Sequence, residues 1–214
     1  MENYKQNFIK MSIQIGALKF GEFELKSGRI SPYFFNMGLF SSGKAIKSVG
    51  DYYAAALVSS ELKYAMLFGP AYKGIPLVSV LSSSLSANHD KDIPFVYNRK
   101  EQKTHGEGGQ IVGPPLAGKV VIVDDVITAG TAIKEVSKMI DNSEAEISGV
   151  LIAIDRQEKG MGELSAVQEI STTLGVPVIS IVNLEQILAF VKANSFEFEA
   201  HIEAIEKYRD LYGA

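Results

Sequence analysis

Apolar residues recur along this chain with two periods, and the switches between them divide it into elements. Tyr4, Phe8, Met11, Ile15 and Leu18 return every three or four positions, the spacing of one helix face. Phe23 and Leu25 then alternate with Glu22, Glu24 and Lys26, a period of two that predicts a strand. Ser27-Gly28-Arg29 reads as a turn and Tyr33-Phe34-Phe35 as an aromatic return strand. Residues 1–40 are therefore expected to form a helix and a small antiparallel hairpin, a hood ahead of the main sheet.

Beyond the hood the pattern alternates between helix and strand. Ala45, Ile46, Val49, Tyr53, Ala56 and Leu57 predict a second helix, and Tyr64 to Phe68 a strand. A helix through Leu77, Val80, Leu81 and Leu85 follows, then a strand over Pro94 to Tyr97. Val120 to Val123 is a β-branched run of the kind buried on both faces of a parallel sheet. Ala132, Ile133, Val136, Met139 and Ile140 return at helical spacing, Ile147 to Ile154 is another strand, and Leu164 to Ile170 a helix. A strand over Val176 to Val182 and two closing helices complete the order. Such alternation implies right-handed crossovers and an α/β fold, a central parallel sheet flanked by helices. No repeat or linker interrupts it, so residues 1–214 read as a single domain.

Composition narrows the function. Hydrophobic residues make up 46% and charged residues 21%, enough for a packed core. The net charge of -4 argues against a general nucleic-acid binder, which needs a basic face. With no cysteine there is no thiol nucleophile and no cysteine-ligated metal. No apolar run reaches the roughly 20 residues of a membrane span. The N-terminus lacks the apolar region of a signal peptide, so a cytoplasmic protein is expected.

The candidate chemistry centres on VVIVDDVITAGT, Val120 to Thr131. A buried strand runs into Asp124-Asp125, then into the small residues of a turn, then into a helix. Free N–H groups at a helix start hold anions, phosphate above all. Gly130 permits close approach, and Thr128 and Thr131 add hydroxyls. Two carboxylates beside such a cradle suit the vicinal hydroxyls of a sugar phosphate. Taken alone, the acidic pair serves equally as a solvated strand end.

Other segments carry weaker signals. Gly38 to Lys44 has the spacing of a nucleotide-binding P-loop. Ala45 stands where that motif needs a hydroxyl, so this is read as a helix start. Gly69 to Pro76, GPAYKGIP, is an ordinary βα turn or an anion site with Lys73 beside it. Arg99 to Gly109 combines Arg99, Lys100, Lys103 and His105 with three glycines, which reads as a mobile segment. It is either a solvated hairpin or a basic lid that closes over a leaving group. Phe34 and Phe35 are either core residues or a platform for a flat base. Arg156, at the end of the strand after the motif helix, is either an ion-pair partner or a two-pronged grip on a carboxylate.

These residues together resemble the type I phosphoribosyltransferases, and the lid and hairpin resemble the orotate branch of that family. The resemblance implies the type I phosphoribosyltransferase fold. It implies transfer of ribose 5-phosphate from phosphoribosyl diphosphate to N1 of orotate in pyrimidine biosynthesis. Asp124 and Asp125 then hold the ribose hydroxyls, while Val126, Ile127, Thr128, Ala129, Gly130, Thr131 and Ala132 wrap the 5-phosphate. Tyr72 and Lys73 meet the pyrophosphate in a turn whose peptide the family often strains. Lys26, Arg99, Lys100, Lys103 and His105 complete the diphosphate side. Lys103 and His105 reach a neighbouring subunit's site, so a homodimer with shared sites is implied. Phe34, Phe35 and Arg156 take the base. Mg²⁺ enters with the diphosphate, with no direct protein ligand and at most water-mediated contact to Asp124 and Asp125. Neither nucleic acid nor membrane is an expected partner. Two alternatives share this pocket: a transferase for a purine or other base, and a regulator that has lost catalysis and binds RNA or protein.

Overall fold

The computed structural model describes residues 1–25, 27–103, 109–160 and 162–214, and of residues 102, 103, 109 and 195 only the backbone. The chain runs through α1 (Asn3–Gln14), β1 (Leu18–Glu24), β2 (Ile30–Phe35), α2 (Gly43–Ser59), β3 (Met66–Gly69), α3 (Gly74–His89), β4 (Phe95–Lys103) and β5 (Gly109–Val112). It continues through β6 (Ala117–Val123), α4 (Thr131–Asp141), β7 (Glu144–Asp155), α5 (Ala166–Leu174), β8 (Val178–Asn183), α6 (Leu184–Ala193) and α7 (Ser195–Tyr212). β1 and β2 form a separate antiparallel pair, and the other strands form one sheet in the order β5-β4-β3-β6-β7-β8. All neighbours in that sheet are parallel except β4 and β5.

The Val120–Val123 run behaves as its composition predicts. Val121 and Val123 enter the core formed with α1, α2, α3, α6 and α7, while Val120 and Ile122 enter a second core against α4 and α5. All four are fully buried, which stabilises the fold by roughly 1.5–3 kcal/mol per side chain. Among the described residues, no helix is long and apolar enough to cross a membrane.

Two boundaries depart from the periodicity, and a third follows its reading. Leu18 continues the helical spacing of α1, yet it opens β1, where it pairs with Phe35. The helix stops before Gly16, whose φ of +72° a helix cannot contain. β4 runs through Lys103, so Arg99 to Lys103, expected within a loop, are strand residues paired toward β5. An edge hairpin needs no apolar alternation, because solvent covers it. The segment Gly38 to Lys44 is a helix start, with Ser42 Oγ accepting the Ala45 N–H at 3.2 Å.

Candidate active site

The sheet changes direction of winding between β3 and β6. β3 leads through α3 to β4 on one side, and β6 leads through α4 to β7 on the other. In open α/β sheets the crevice at such a point, beyond the C-terminal strand ends, is where ligands bind. Three strand ends meet there: β3 with Gly69 to Gly74, β6 with Asp124 and Asp125, and β7 with Arg156.

After Val123 the backbone stays tethered to β7. The Asp124 N–H donates to Leu151 O at 3.0 Å, and the Ala153 N–H donates to Asp125 O at 2.8 Å. Tyr53, fully buried on α2, donates its hydroxyl to Asp124 O at 2.8 Å. Val126 then packs toward the first core and Ile127 toward the second, so the bend is pinned on both sides of the sheet. Thr128 and Ala129 lie exposed between those anchors and α4, and Thr131, the first residue of α4, is exposed as well. Gly130 is buried, has a φ of +67° and caps α4; a Cβ there would meet Ile170 Cδ1 at 2.6 Å. Among the described residues, no backbone N–H from Val126 to Thr131 donates to another protein group. The bend therefore leaves these amides without protein acceptors at a helix start, where backbone N–H groups can hold phosphate.

Two carboxylates stand beside this bend in different surroundings. Asp125 is 6% exposed, and its Oδ2 accepts the Lys73 ammonium at 2.5 Å. Burial pushes the Asp124 carboxyl up to about 6, with the Asp125 charge adding to the rise. The Asp125 N–H, donating to Asp124 Oδ1 at 2.9 Å, opposes it.

The β3–α3 turn brings Lys73 to Asp125. Gly69 and Gly74 are packed so closely that a Cβ on the first would meet Gly74 O at 2.3 Å, and one on the second Val123 O at 2.8 Å. The Ala71–Tyr72 peptide bond is cis. The Ala71 N–H donates to Oδ1 of Asn98, a buried residue of β4, at 2.8 Å. Tyr72 is 67% exposed, and the Lys100 ammonium lies 5.0 Å from its ring. Arg99 follows Asn98 in the same strand.

On the other side, Arg156 is held against the hood. Its Nε donates to Glu158 Oε1 at 3.0 Å and to the Tyr33 hydroxyl at 3.2 Å, and its Nη2 donates to Glu158 Oε1 at 2.8 Å. The guanidinium also lies 5.0 Å from the Tyr33 ring. Phe34 and Phe35, neighbours in β2, face opposite ways. Phe34 is 41% exposed and packs on Phe23, whereas Phe35 meets Phe8 and Phe40 of the core. A shallow hollow of about 310 Å³ beside Phe34 is lined by Lys19, Phe23, Glu24 and Asn36.

The structure thus brings Tyr72, Lys73, Lys100, Asp124, Asp125 and the Val126–Ala132 bend to adjoining positions around β3, β4 and β6, with Arg156 just after β7. Lys26, His105 and the Lys103 side chain lie outside the described residues. Sequence reasoning missed Tyr53, Asn98 and Glu158. Only Asn98 left a local signal, an amide ending the apolar run of its strand. For a divalent cation, Asp124 and Asp125 are hard oxygen donors of the type Mg²⁺ accepts. Among the described residues no cluster of three or more ligating side chains joins them. The donor set fits a cation held chiefly by substrate oxygens and water.

The chain is similar to known phosphoribosyltransferases in sequence and in fold. The phosphoribosyl transferase domain model matches residues 40–182. An orotate phosphoribosyltransferase of Pseudomonas syringae pv. tomato is 55% identical over 213 residues, all of both chains, and one from Pseudomonas aeruginosa is 54% identical over the same span. The crystal structure of orotate phosphoribosyltransferase from Francisella tularensis superposes with a TM-score of 0.89 at 44% identity, covering 97% of this chain and 100% of that one. The fold is that of the type I phosphoribosyltransferases, and the chain belongs to the orotate phosphoribosyltransferase family.

Proposed function

We propose that this chain transfers ribose 5-phosphate from 5-phospho-α-D-ribose 1-diphosphate to N1 of orotate. The products are orotidine 5′-monophosphate and pyrophosphate, in pyrimidine biosynthesis. The observation that carries the reading is the bend after Asp124-Asp125, whose amides donate to no described protein group, set between Lys73 of the β3–α3 turn and Arg156 just after β7.

The bend from Val126 to Ala132 takes the 5-phosphate, with the Thr128 and Thr131 hydroxyls adding to the amides. Asp124 and Asp125 accept hydrogen bonds from the ribose hydroxyls. Their negative charge also favours the cation that develops on the ribose as the bond from C1 to the diphosphate oxygen breaks. Orotate N1 gives up its proton to water and forms the new bond at C1 on the opposite side. Fixing both reactants in that alignment supplies much of the rate, and no covalent nucleophile is needed. Tyr72, Lys73, Arg99 and Lys100 face the diphosphate, joined by Lys26, Lys103 and His105. Lys103 or His105 supplies a proton to the departing pyrophosphate. Phe34 and Phe35 border the base, and Arg156 receives the orotate carboxylate. Mg²⁺, when bound, neutralises diphosphate charge, with Asp124 and Asp125 touching it through water. The enzyme acts as a homodimer whose residues 99–109 form a catalytic loop serving the neighbouring site. It acts in the cytoplasm, where its charged substrates are retained.

The test is direct. Protein, Mg²⁺, phosphoribosyl diphosphate and orotate are mixed, and loss of orotate absorbance is followed with pyrophosphate release. One pyrophosphate per orotate consumed is expected. Faster turnover of adenine or hypoxanthine than of orotate would reject the assignment.

A further inference from the structure

Arg156 is not a free prong waiting for a carboxylate. It is clamped, and the clamp is built from three separated parts of the chain. One oxygen of Glu158, Oε1, accepts from Arg156 Nε at 3.0 Å, from Arg156 Nη2 at 2.8 Å and from the Tyr33 hydroxyl at 2.7 Å. Ser31, fully buried, accepts from Nη2 at 3.4 Å and donates to Tyr33 O at 2.7 Å. The Glu158 side chain is 12% exposed and that of Arg156 20%, so water does little to loosen the pair.

The segment carrying Glu158 is itself fixed. Arg29 donates to Lys159 O at 2.7 Å and to Gly160 O at 3.1 Å, with its guanidinium 4.8 Å from the Tyr212 ring. The Lys159 N–H donates to Tyr212 O at 2.8 Å, and the Ala214 N–H to Gln157 O at 3.0 Å. Tyr208 of α7 packs edge-on against Tyr33, at 87° and 6.3 Å. Its buried hydroxyl lies near Glu158 and Ser31 but misses hydrogen-bond geometry with both. Hood, β7 extension and α7 thus converge on one guanidinium.

The hydrogen bonds have a direction. Glu158 occupies the side-on edge of the guanidinium, the edge formed by Nε and Nη2. A carboxylate can be gripped on either edge. Glu158 takes the side-on edge, the remaining Nη2 hydrogen is turned to Ser31 Oγ by a long 3.4 Å contact, and Nη1 is the donor the clamp leaves on the end-on edge. Among the described residues, Nη1 donates to no protein group. We infer that Glu158, backed by Tyr33 and α7, is a positioning residue that fixes the plane of Arg156 and thereby sets selectivity for a carboxylate-bearing base. The inference rests on the proposed reading of Arg156 as the orotate contact. It extends that reading to residues outside the substrate's reach, including Tyr208 of the C-terminal helix α7.

The test is a double-mutant cycle read by steady-state kinetics with each substrate varied. Glu158→Ala is expected to raise KM for orotate about tenfold, the equivalent of losing one charged hydrogen bond, with KM for phosphoribosyl diphosphate within about twofold of the parent. In an Arg156→Ala background Glu158→Ala should change nothing further, because it acts only through that arginine. Glu158→Gln keeps the acceptor oxygen and should stay within about threefold of the parent. If Glu158→Ala does not fold, Tyr33→Phe decides by the same split between the two KM values. An Arg156→Ala variant with unchanged orotate KM would overturn the base assignment itself, and this inference with it. A raised KM in Arg156→Ala but not in Glu158→Ala would overturn the positioning role alone. A Gln variant as impaired as the Ala variant would overturn it too.

Discussion

Asp124 is asked to carry charge where burial opposes it, and that conflict makes a two-sided prediction. Burial raises its carboxyl to about 6 in the folded protein, from an ordinary 3.8. A group whose folded value is raised contributes stability that is complete below the unfolded value. That contribution is lost as pH climbs through the folded value. With partial exposure allowed for, that rise corresponds to about 2 kcal/mol. Asp124→Asn escapes the loss and keeps an oxygen for the Asp125 N–H. Its melting temperature should match the parent near pH 4 and exceed it by roughly 4–8 °C at pH 8. Turnover should fall on the order of a hundredfold or more, because the amide cannot favour a developing cation. Thermal melts at the two pH values, with one rate measurement, check both halves. A gap that does not widen with pH would show that burial is not what raises the carboxyl.

At the scale of elements, the β3–α3 turn is held from outside itself. Asn98 Oδ1 receives the Ala71 N–H, and Asn98 is 5% exposed. Asn98→Ala strands that donor and should cost about 1–3 kcal/mol of stability. It should raise KM for phosphoribosyl diphosphate several-fold and leave that for orotate unchanged. Equal effects on both substrates would mean general loosening, not a displaced turn. In the neighbouring bend, Gly130→Ala puts a Cβ at a φ of +67°. The contact with Ile170 Cδ1 is to the end of a flexible side chain and can relax. The backbone cost of about 1–2 kcal/mol then dominates, and KM for phosphoribosyl diphosphate should rise with the fall in melting temperature.

These cases also show what was legible in the sequence. The cradle was legible because a phosphate site made from a strand end and a helix start must be contiguous in sequence: Val120 to Thr131 contains every part of it. The parallel core was legible for a similar reason, since Val120 to Val123 must be apolar on both faces. Long-range anchors leave no such trace. Tyr33 and Glu158 are 125 positions apart, and Tyr53 reaches Asp124 across 71. The hood hairpin was legible, yet the opposite facing of Phe34 and Phe35 was not separated from the idea of an aromatic pair. Leu18 misled because a strand residue happened to fall on the helical period. Arg99 to Lys103 misled because a solvated edge strand looks like a loop.

For the whole molecule, the question is how many chains build one site. Within one chain, Lys73 and Asp125 are paired, and Lys100 is stacked beside Tyr72, so β3, β4 and β6 already share contacts. Lys103, the last residue of β4, is assigned by resemblance to the neighbouring subunit's site. A two-fold dimer turns that assignment into a count. Lys103→Ala and Asp125→Asn should each be nearly inactive as homodimers. When the two chains are co-refolded in equal amounts, half of the dimers are mixed. In each mixed dimer one site collects both defects and the other collects neither. About a quarter of parental activity should therefore return, as expected for random two-fold pairing. Activity measured before and after co-refolding, with the dimer fraction followed by light scattering, provides the check. Recovery near zero with mixed dimers present would place Lys103 and Asp125 in the same chain's site, and the catalytic loop would then serve its own subunit.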